Sequence, residues 1–194
     1  MQQDELADIR AAVARPPKVL EQPDLQRAAV AAILTPGRHL WFIRRADRLG
    51  DPWSGHLAFP GGREQKEDRS PLAAAMRETM EEVGVDLREG ELLGQLDDLQ
   101  SRPMTRLVIR PFVFAMPEVP AWRPNEEVAD VLSYPLDDLL RGEGRGHMRY
   151  PPVVGMKLPR VDFAGHRLWG LTLHMVDDLL HRLDGRGLGL ERTP

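Results

Sequence analysis

Apolar positions along the chain repeat with two spacings, one typical of helices and one typical of strands. The helical spacing predicts helices at residues 4–14, 71–83, 135–140 and 171–183. Short apolar runs and two-residue alternation predict strands at residues 27–34, 40–45, 92–99, 106–116, 128–133, 149–154, 157–163 and 166–170. Pro36 and Gly37 supply a turn between the first two strands, which predicts a hairpin. Pro111 interrupts the fourth strand and indicates a sheet edge or a bulge there.

The helix at 71–83 has well-defined end signals. Ser70 is a good N-cap, because its hydroxyl can accept a hydrogen bond from a free N–H group of the first turn. Pro71 fits the first helical position, where its missing N–H costs nothing. Gly84 can adopt the left-handed conformation that ends a helix. The apolar stripe of this helix, which predicts its buried face, is formed by Leu72, Met76, Met80 and Val83.

Three carboxylates, Glu78, Glu81 and Glu82, lie on the opposite side of this helix. They are three or four residues apart, so their like charges are neighbours and repel each other. They also lie in the C-terminal half, where the helix dipole disfavours anions. An ordinary solvated acidic face would explain their polarity but not this unfavourable position. We therefore expect them to bind a hard divalent cation, which takes oxygen ligands.

The segment that contains these carboxylates resembles the Nudix box. The second half of the box pattern is matched by Arg77, Glu78, Glu81, Glu82, Gly84 and Val85. In the first half, Asp68 takes the place of a glutamate, one extra residue precedes the arginine, and Thr79 replaces an aliphatic residue. The extra residue resembles the coenzyme A pyrophosphatase branch of the family. The Phe-Pro-Gly-Gly run at 59–62 and the Trp-Gly-x-Thr run at 169–172 resemble the same branch.

The resemblance implies the fold and its boundaries. The expected fold is of the α/β class, the Nudix α/β/α sandwich with a mixed β-sheet, and the order of predicted elements is compatible with it. This domain is expected at residues 27–185. A helical appendage at residues 1–26 precedes it, and a flexible tail at residues 186–194 follows it.

The resemblance also implies the reaction and its cofactor. A Nudix pyrophosphohydrolase uses Mg2+ or Mn2+ to hydrolyse a diphosphate linkage in a nucleoside diphosphate derivative. The expected metal ligands are Glu78, Glu81 and Glu82, and the expected catalytic residues are Arg77, Glu81, Glu82 and Glu127. Arg77 is expected to orient Glu81 or Glu82 by a charge-assisted hydrogen bond. The general base is one of the box glutamates or a later carboxylate, Glu126 or Glu127, for which an exposed acidic pair is the ordinary alternative.

Two groups of residues are candidates for substrate binding. Arg44, Arg45 and Arg48 form a cluster that can bind phosphate, since a guanidinium group donates two parallel hydrogen bonds. A solvated strand end is the alternative explanation of this cluster. Gly61 and Gly62 allow close approach of the main chain to a ligand, and a simple tight turn is the alternative there.

The substrate itself is the most open question. Coenzyme A or an acyl derivative is the first hypothesis, based on the motifs of the coenzyme A branch. A (d)NTP, ADP-ribose or another nucleotide sugar is the second, because Asp51 stands where that branch carries an arginine. A non-catalytic nucleotide sensor with the same fold is the third.

Composition restricts the partners and the location of the protein. The chain has 194 residues and a formal net charge of -4, without the basic character that nucleic-acid binding requires. There is no apolar run that could span a membrane and no signal-type leader, so neither a membrane nor secretion is expected. The absence of cysteine fits a cytoplasmic protein. The expected partner is a small-molecule nucleotide, and the resemblance is also compatible with a homodimer.

Overall fold

The computed structural model of the protein describes residues 5–21, 24–51, 53–101, 106–149 and 157–190. Its helices are α1 (Ala7–Val13), α2 (Pro71–Val83), α3 (Leu136–Arg141) and α4 (Gly170–Asp184), with a 3-10 turn at Leu87–Glu89. Its first six strands are β1 (Gln26–Thr35), β2 (His39–Arg45), β3 (Leu57–Ala58), β4 (Gly61–Arg63), β5 (Glu91–Gln95) and β6 (Leu99–Ser101). The others are β7 (Leu107–Ala115), β8 (Val128–Pro135), β9 (Arg145–Arg149), β10 (Lys157–Phe163) and β11 (His166–Trp169).

The larger sheet is mixed and is built around β1. Strand β1 runs parallel to β7 along its whole length and antiparallel to β2 and β4. Strands β3 and β8 extend the sheet from β2, and β5 and β6 extend it from β7. Strands β9, β10 and β11 form a second, antiparallel sheet. The predicted hairpin of β1 and β2 is confirmed.

Alternating residues of β1 separate two hydrophobic layers, one on each face of the larger sheet. Ala29, Ala31 and Ile33 face a cluster that includes residues of α2. Val30, Ala32 and Leu34 face a cluster that includes residues of α1, α4 and the second sheet, among them Ile9, Val13, Leu173, Val176 and Phe163. Helices therefore cover both faces of a mixed sheet, which is the predicted α/β/α sandwich.

Pro111 lies inside the larger sheet, so of the two predicted alternatives the edge position is wrong and the bulge is confirmed. The pairing with β7 shifts by one residue around Pro111, from Gln95–Phe112 to Leu99–Ile109. Pro111 pairs with Val30 of β1, and its carbonyl accepts a hydrogen bond from the Leu96 N–H group at 3.0 Å. The carbonyl group of Pro111 thus faces the break between β5 and β6. The predicted strand at 92–99 is interrupted at this break, which is why a residue without an N–H group is tolerated inside the sheet.

Two adjacent aspartates attach the N-terminal segment to the domain. Asp97 accepts the Lys18 N–H at 2.9 Å and also binds the guanidinium group of Arg182. Asp98 accepts the Leu20 N–H at 2.9 Å and both Nε and Nη2 of Arg110, at 2.9 and 2.8 Å. The first 26 residues were assigned to an appendage, and within this segment α1 buries Ile9 and Val13 in the core.

The ends of other predicted elements need separate comment. Helix α2 has the predicted bounds. The predicted strand at 149–154 lies almost entirely outside the described residues, and β9 ends at Arg149. In the segment assigned to a flexible tail, Leu188 and Leu190 pack against the core, while residues 191–194 lie outside the described part of the chain. No helix among the described residues is long and apolar enough to cross a membrane.

The Asp98–Arg110 pair provides a test of the fold. The Asp98 side chain has no exposed surface, and that of Arg110 is 15% exposed. We expect Asp98→Ala to lower the free energy of unfolding by about 3–5 kcal/mol, because it leaves a buried guanidinium group without its carboxylate. Urea denaturation measures the change. Asp86→Ala removes a carboxylate from an exposed pair with Arg88 and serves as the control; equal losses in both variants would contradict the account.

Candidate active site

The two glycines that begin β4 bring the main chain against β1 and helix α2. Gly61 has a φ angle of 145°, and a Cβ atom on it would lie 2.5 Å from the Cα atom of Val30. A Cβ atom on Gly62 would lie 2.5 Å from the carboxylate carbon of Glu78. A side chain at Gly61 would collide with main-chain atoms of β1, whereas a side chain at Gly62 would meet only the movable end of the Glu78 side chain. Gly61 is therefore required for this close contact.

Helix α2 is fixed at both ends by the residues that predicted it. Ser70 accepts the Ala73 N–H at 3.1 Å, and Gly84 has a φ angle of 68° and donates to the Met80 carbonyl. At the C-terminal end, Asn125 donates its main-chain N–H to the Glu82 carbonyl and its side-chain amide to the Glu81 carbonyl. These contacts attach the loop before β8 to the end of the helix that carries the carboxylates.

Glu82 is a buried carboxylate, with 4% of its surface exposed. Its Oε2 atom accepts the Gly61 N–H at 2.8 Å. Burial raises the pKa of Glu82 from its ordinary 4.5 to about 7, the hydrogen bond from Gly61 opposes this increase, and the charge of Glu78 adds to it. Weaker effects come from Arg45, which lowers this pKa, and Glu127, which raises it. Both side chains are therefore close enough to Glu82 for their charges to act on it.

Arg77 connects the other acidic residues. Its Nε and Nη2 atoms bind the two oxygens of Asp68 at 3.0 and 2.9 Å, and its Nη1 atom lies 2.8 Å from Glu78 and 3.1 Å from Glu81. The Asp68 hydrogen bond, more than any other effect, raises the pKa of Arg77, and Arg77 lowers the pKa of Asp68. Of the two glutamates that Arg77 was expected to orient, it contacts Glu81, while Glu82 is held by the main chain of Gly61.

The three candidate arginines have different partners. Arg45 donates to Asp51 at 2.8 Å, and this hydrogen bond lowers the pKa of Asp51. Arg48 donates to Glu127 at 2.9 Å. Arg44 lies 3.7 Å from Asp47, and the pairing register shifts between Arg44 and Arg45. Arg48 is thus paired with Glu127, the candidate catalytic carboxylate. The ion pairs of Arg45 and Arg44 are with Asp51 and Asp47.

Sequence reasoning missed the roles of Asp68 and Asn125. The exchange of glutamate for aspartate at position 68 was visible, but its double hydrogen bond to Arg77 depends on how the loop folds back onto the helix. Asn125 also accepts the Glu127 N–H at 2.8 Å, an Asx-type contact that orients the loop. The Asn-x-Glu spacing at 125–127 is the one local signal that could have indicated this.

The donor set suits a hard divalent cation, although its side chains do not converge in this conformation. Glu78, Glu81 and Glu82 supply only oxygen atoms, as Mg2+ prefers. Within the described ranges, no group of three or more acidic, histidine or cysteine side chains is already arranged around one point. Arg77 binds Glu78 and Glu81 instead. The chemistry of these residues therefore fits a metal, and binding requires some of these carboxylates to reorient.

The buried Glu82 gives the chain a specific dependence of stability on pH. A carboxyl group whose pKa is 4.5 in the unfolded chain and about 7 in the folded chain favours folding when protonated. This contribution is complete below about pH 4.5 and is lost as the pH rises through about 7. Without metal at pH 8, we expect Glu82→Gln to raise the free energy of unfolding by up to about 3 kcal/mol.

Urea denaturation at several pH values measures this effect. The gain from Glu82→Gln is expected to disappear as the pH falls to about 4.5, where Glu82 is protonated in both states. Glu81→Gln is the matched control, because the Glu81 side chain is 53% exposed. A gain that is independent of pH between 4.5 and 8, or equal gains in the two variants, would contradict burial as the cause.

Comparison with known proteins supports the same assignment. A family model described as NUDIX domain matches residues 25–152. The chain is 32% identical over 173 residues to the human mitochondrial coenzyme A diphosphatase NUDT8, covering 81% of this chain and 70% of that protein. It is 36% identical over 171 residues to the Nudix hydrolase NudL of Yersinia pestis, covering 81% and 80%.

Two further matches extend this result. The chain is 41% identical over 115 residues to a Schizosaccharomyces pombe protein, but covers only 34% of its length. The crystal structure of a MutT/nudix family protein from Enterococcus faecalis superposes with a TM-score of 0.55 at 17% identity, covering 87% of this chain and 64% of that one. This likeness concerns the fold alone. The family model and the relatives that are matched over most of their length place the chain in the Nudix family, as a pyrophosphohydrolase.

Proposed function

We propose that the protein hydrolyses the diphosphate linkage of coenzyme A or an acyl-coenzyme A in the presence of Mg2+ or Mn2+. The observation that carries the substrate is the 32% identity, over 81% of this chain, to a relative named as a coenzyme A diphosphatase. The expected products are phosphopantetheine, with its acyl group where present, and 3′,5′-ADP. A (d)NTP, ADP-ribose or another nucleotide sugar is the second candidate, because Asp51 stands in place of an arginine and occupies Arg45.

The metal would be held by Glu78, Glu81 and Glu82. When bound, it supplies positive charge that stabilises the phosphate oxygens and makes a bound water more acidic. The protein holds these carboxylates in position by hydrogen bonds. Gly61 holds Glu82 by its main-chain N–H at 2.8 Å, and Arg77 holds Glu78 and Glu81 at 2.8 and 3.1 Å. Arg77 is therefore a positioning residue in this scheme.

The substrate phosphates would be bound by Arg45 and Arg48. The main chain of Gly61 and Gly62, at the start of β4, would lie close to the phosphates. Both arginines are already engaged, Arg45 with Asp51 and Arg48 with Glu127. A diphosphate can compete for these arginines because it offers several charged oxygens to a guanidinium group, and the Arg48–Glu127 pair is half exposed and weak. Arg44 was included among the substrate-binding candidates, and its described pairing with Asp47 gives it less support.

Glu127 is our candidate for the general base that accepts a proton from the attacking water. It is preferred to Glu126 because the charge of Glu127 acts on Glu82 and because Asn125 fixes its main chain. Displacement of Arg48 by substrate would release the carboxylate at the time when the reaction requires it. The water oxygen forms a bond to one phosphorus, and the bond from that phosphorus to the bridging oxygen breaks.

Glu82→Gln tests the reaction centre. We expect kcat to fall by about 100-fold or more, the size of the effect that a lost catalytic charge or base commonly has, while the protein stays folded. Steady-state assays with Mg2+ and with Mn2+ measure the loss. Glu67→Gln removes an exposed carboxylate from the preceding loop and is expected to leave kcat within about twofold. Near wild-type turnover of Glu82→Gln would contradict the assignment.

Product analysis identifies the substrate. The protein is incubated with coenzyme A, ADP-ribose, NADH, diadenosine polyphosphates and dNTPs, with either metal, and the products are separated by chromatography. Cleavage of coenzyme A to 3′,5′-ADP with the highest kcat/KM of the panel is the expected result. Cleavage of dNTPs or ADP-ribose but not of coenzyme A would overturn the first candidate in favour of the second.

A further inference from the structure

The second sheet has two faces, and only one of them belongs to the hydrophobic core. Val161 and Phe163 of β10 and Leu168 of β11 are buried in the cluster that contains α4. Since side chains alternate along a strand, Arg160, Asp162, Arg167 and Trp169 lie on the opposite face. The pairing register agrees, because Arg160 pairs with Trp169 and Asp162 with Arg167. These four residues are called the arginine face below.

The arginine face is in contact with the loop that leads from the candidate phosphate-binding arginines to β3. The Trp169 ring contacts His56, with 4.7 Å between the ring centroids. The Arg45 N–H donates to the His56 carbonyl at 3.0 Å, and the charge of Arg45 acts on Glu82. A ring contact and a main-chain hydrogen bond thus connect Trp169 to Arg45, one of the arginines proposed to bind the substrate phosphates.

The charges of this face are not balanced within the cluster. The Nε atoms of Arg160 and Arg167 lie 2.9 and 3.6 Å from the two oxygens of Asp162, so two guanidinium groups share one carboxylate. The side chains of Arg160, Arg167 and Asp162 are 27, 48 and 44% exposed. Ion pairs of this exposure add little to stability. Stability alone therefore gives a weak reason for two arginines in this position.

We propose that the arginine face binds a phosphate monoester on the nucleoside half of the substrate, apart from the diphosphate that is cleaved. A guanidinium group suits a phosphate because it can donate two parallel hydrogen bonds to two phosphate oxygens. Trp169 pairs with Arg160 and offers an aromatic surface on which a nucleobase can pack. The proposal rests on the proposed function, since coenzyme A carries such a phosphate at the 3′ position of its ribose.

The predicted consequence is selectivity for coenzyme A over 3′-dephospho-coenzyme A, which has the same diphosphate but no 3′-phosphate. In the wild type, KM is expected to be lower for coenzyme A. Arg160→Gln and Arg167→Gln are each expected to raise this KM by about tenfold, as the loss of a hydrogen bond to a charged group does. Their kcat values and their KM values for 3′-dephospho-coenzyme A stay within about twofold of wild type, because the diphosphate is bound elsewhere.

Arg149→Gln is the matched control. Arg149 is an exposed arginine of the same sheet, but it pairs with Lys157 on the face that also carries Val161. Its substitution removes the same charge from an exposed position without touching the arginine face, and both KM values should stay unchanged. Thermal melting checks that the variants fold. If Arg160→Gln does not fold, the more exposed Arg167→Gln carries the test, with Arg167→Lys expected to restore part of the selectivity.

The possible results distinguish a failure of the arginine face from a failure of the proposed function. Cleavage of both substrates with a KM ratio that the arginine variants leave unchanged overturns the arginine face and leaves the proposed function intact. If coenzyme A is not cleaved, the proposed function fails, and calorimetry with 3′,5′-ADP and 5′-AMP still tests the face. Tighter binding of 3′,5′-ADP that Arg167→Gln abolishes supports the face, and equal binding of both nucleotides overturns it.

Discussion

The hydrogen bond from the Gly61 N–H to the buried carboxylate of Glu82 is the contact on which the site depends. It joins the start of β4 to helix α2 across 21 residues of sequence. A buried carboxylate is costly to ionise, and one main-chain donor offsets only part of this cost. The part of the cost that is not offset raises the pKa of Glu82 to about 7. The folded chain therefore holds a carboxylate that gains stability when a cation approaches.

The surrounding architecture makes this contact possible. Strand β4 can pack closely on the central strand because Gly61 has no side chain. Helix α2 stays in place because it packs on Ala29, Ala31 and Ile33 of that strand. Arg77 holds the more exposed carboxylates from the other side. Negative charge is thereby concentrated on one end of a helix, at a cost to stability that a divalent cation would relieve.

Much of this arrangement could be predicted from local signals. Ser70, Pro71 and Gly84 specify the ends of α2, because these signals depend on neighbours within one helix. The predicted buried stripe was partly wrong, since Met80 is exposed and Glu82, which was assigned to the opposite side, is buried. Contacts between distant segments were missed. For Pro111 the sequence left an edge and a bulge open, because the choice depends on the break between two adjacent strands. Asn125 was overlooked because it acts on a helix end more than 40 residues away. The Arg45–Asp51 and Arg48–Glu127 pairs likewise depend on the path of a loop.

The central claim is that Glu82 is a buried carboxylate with a raised pKa, and that a divalent cation can take the place of its proton. Carbon-13 NMR of glutamate carboxyl groups, titrated against pH with and without Mg2+, tests it most directly. We predict one carboxyl that titrates near pH 7 without metal, that is missing in Glu82→Gln, and that titrates below about pH 5 when Mg2+ is saturating. Titration of every glutamate below about pH 5 without metal, or a Glu82 titration that Mg2+ does not change, would contradict the account.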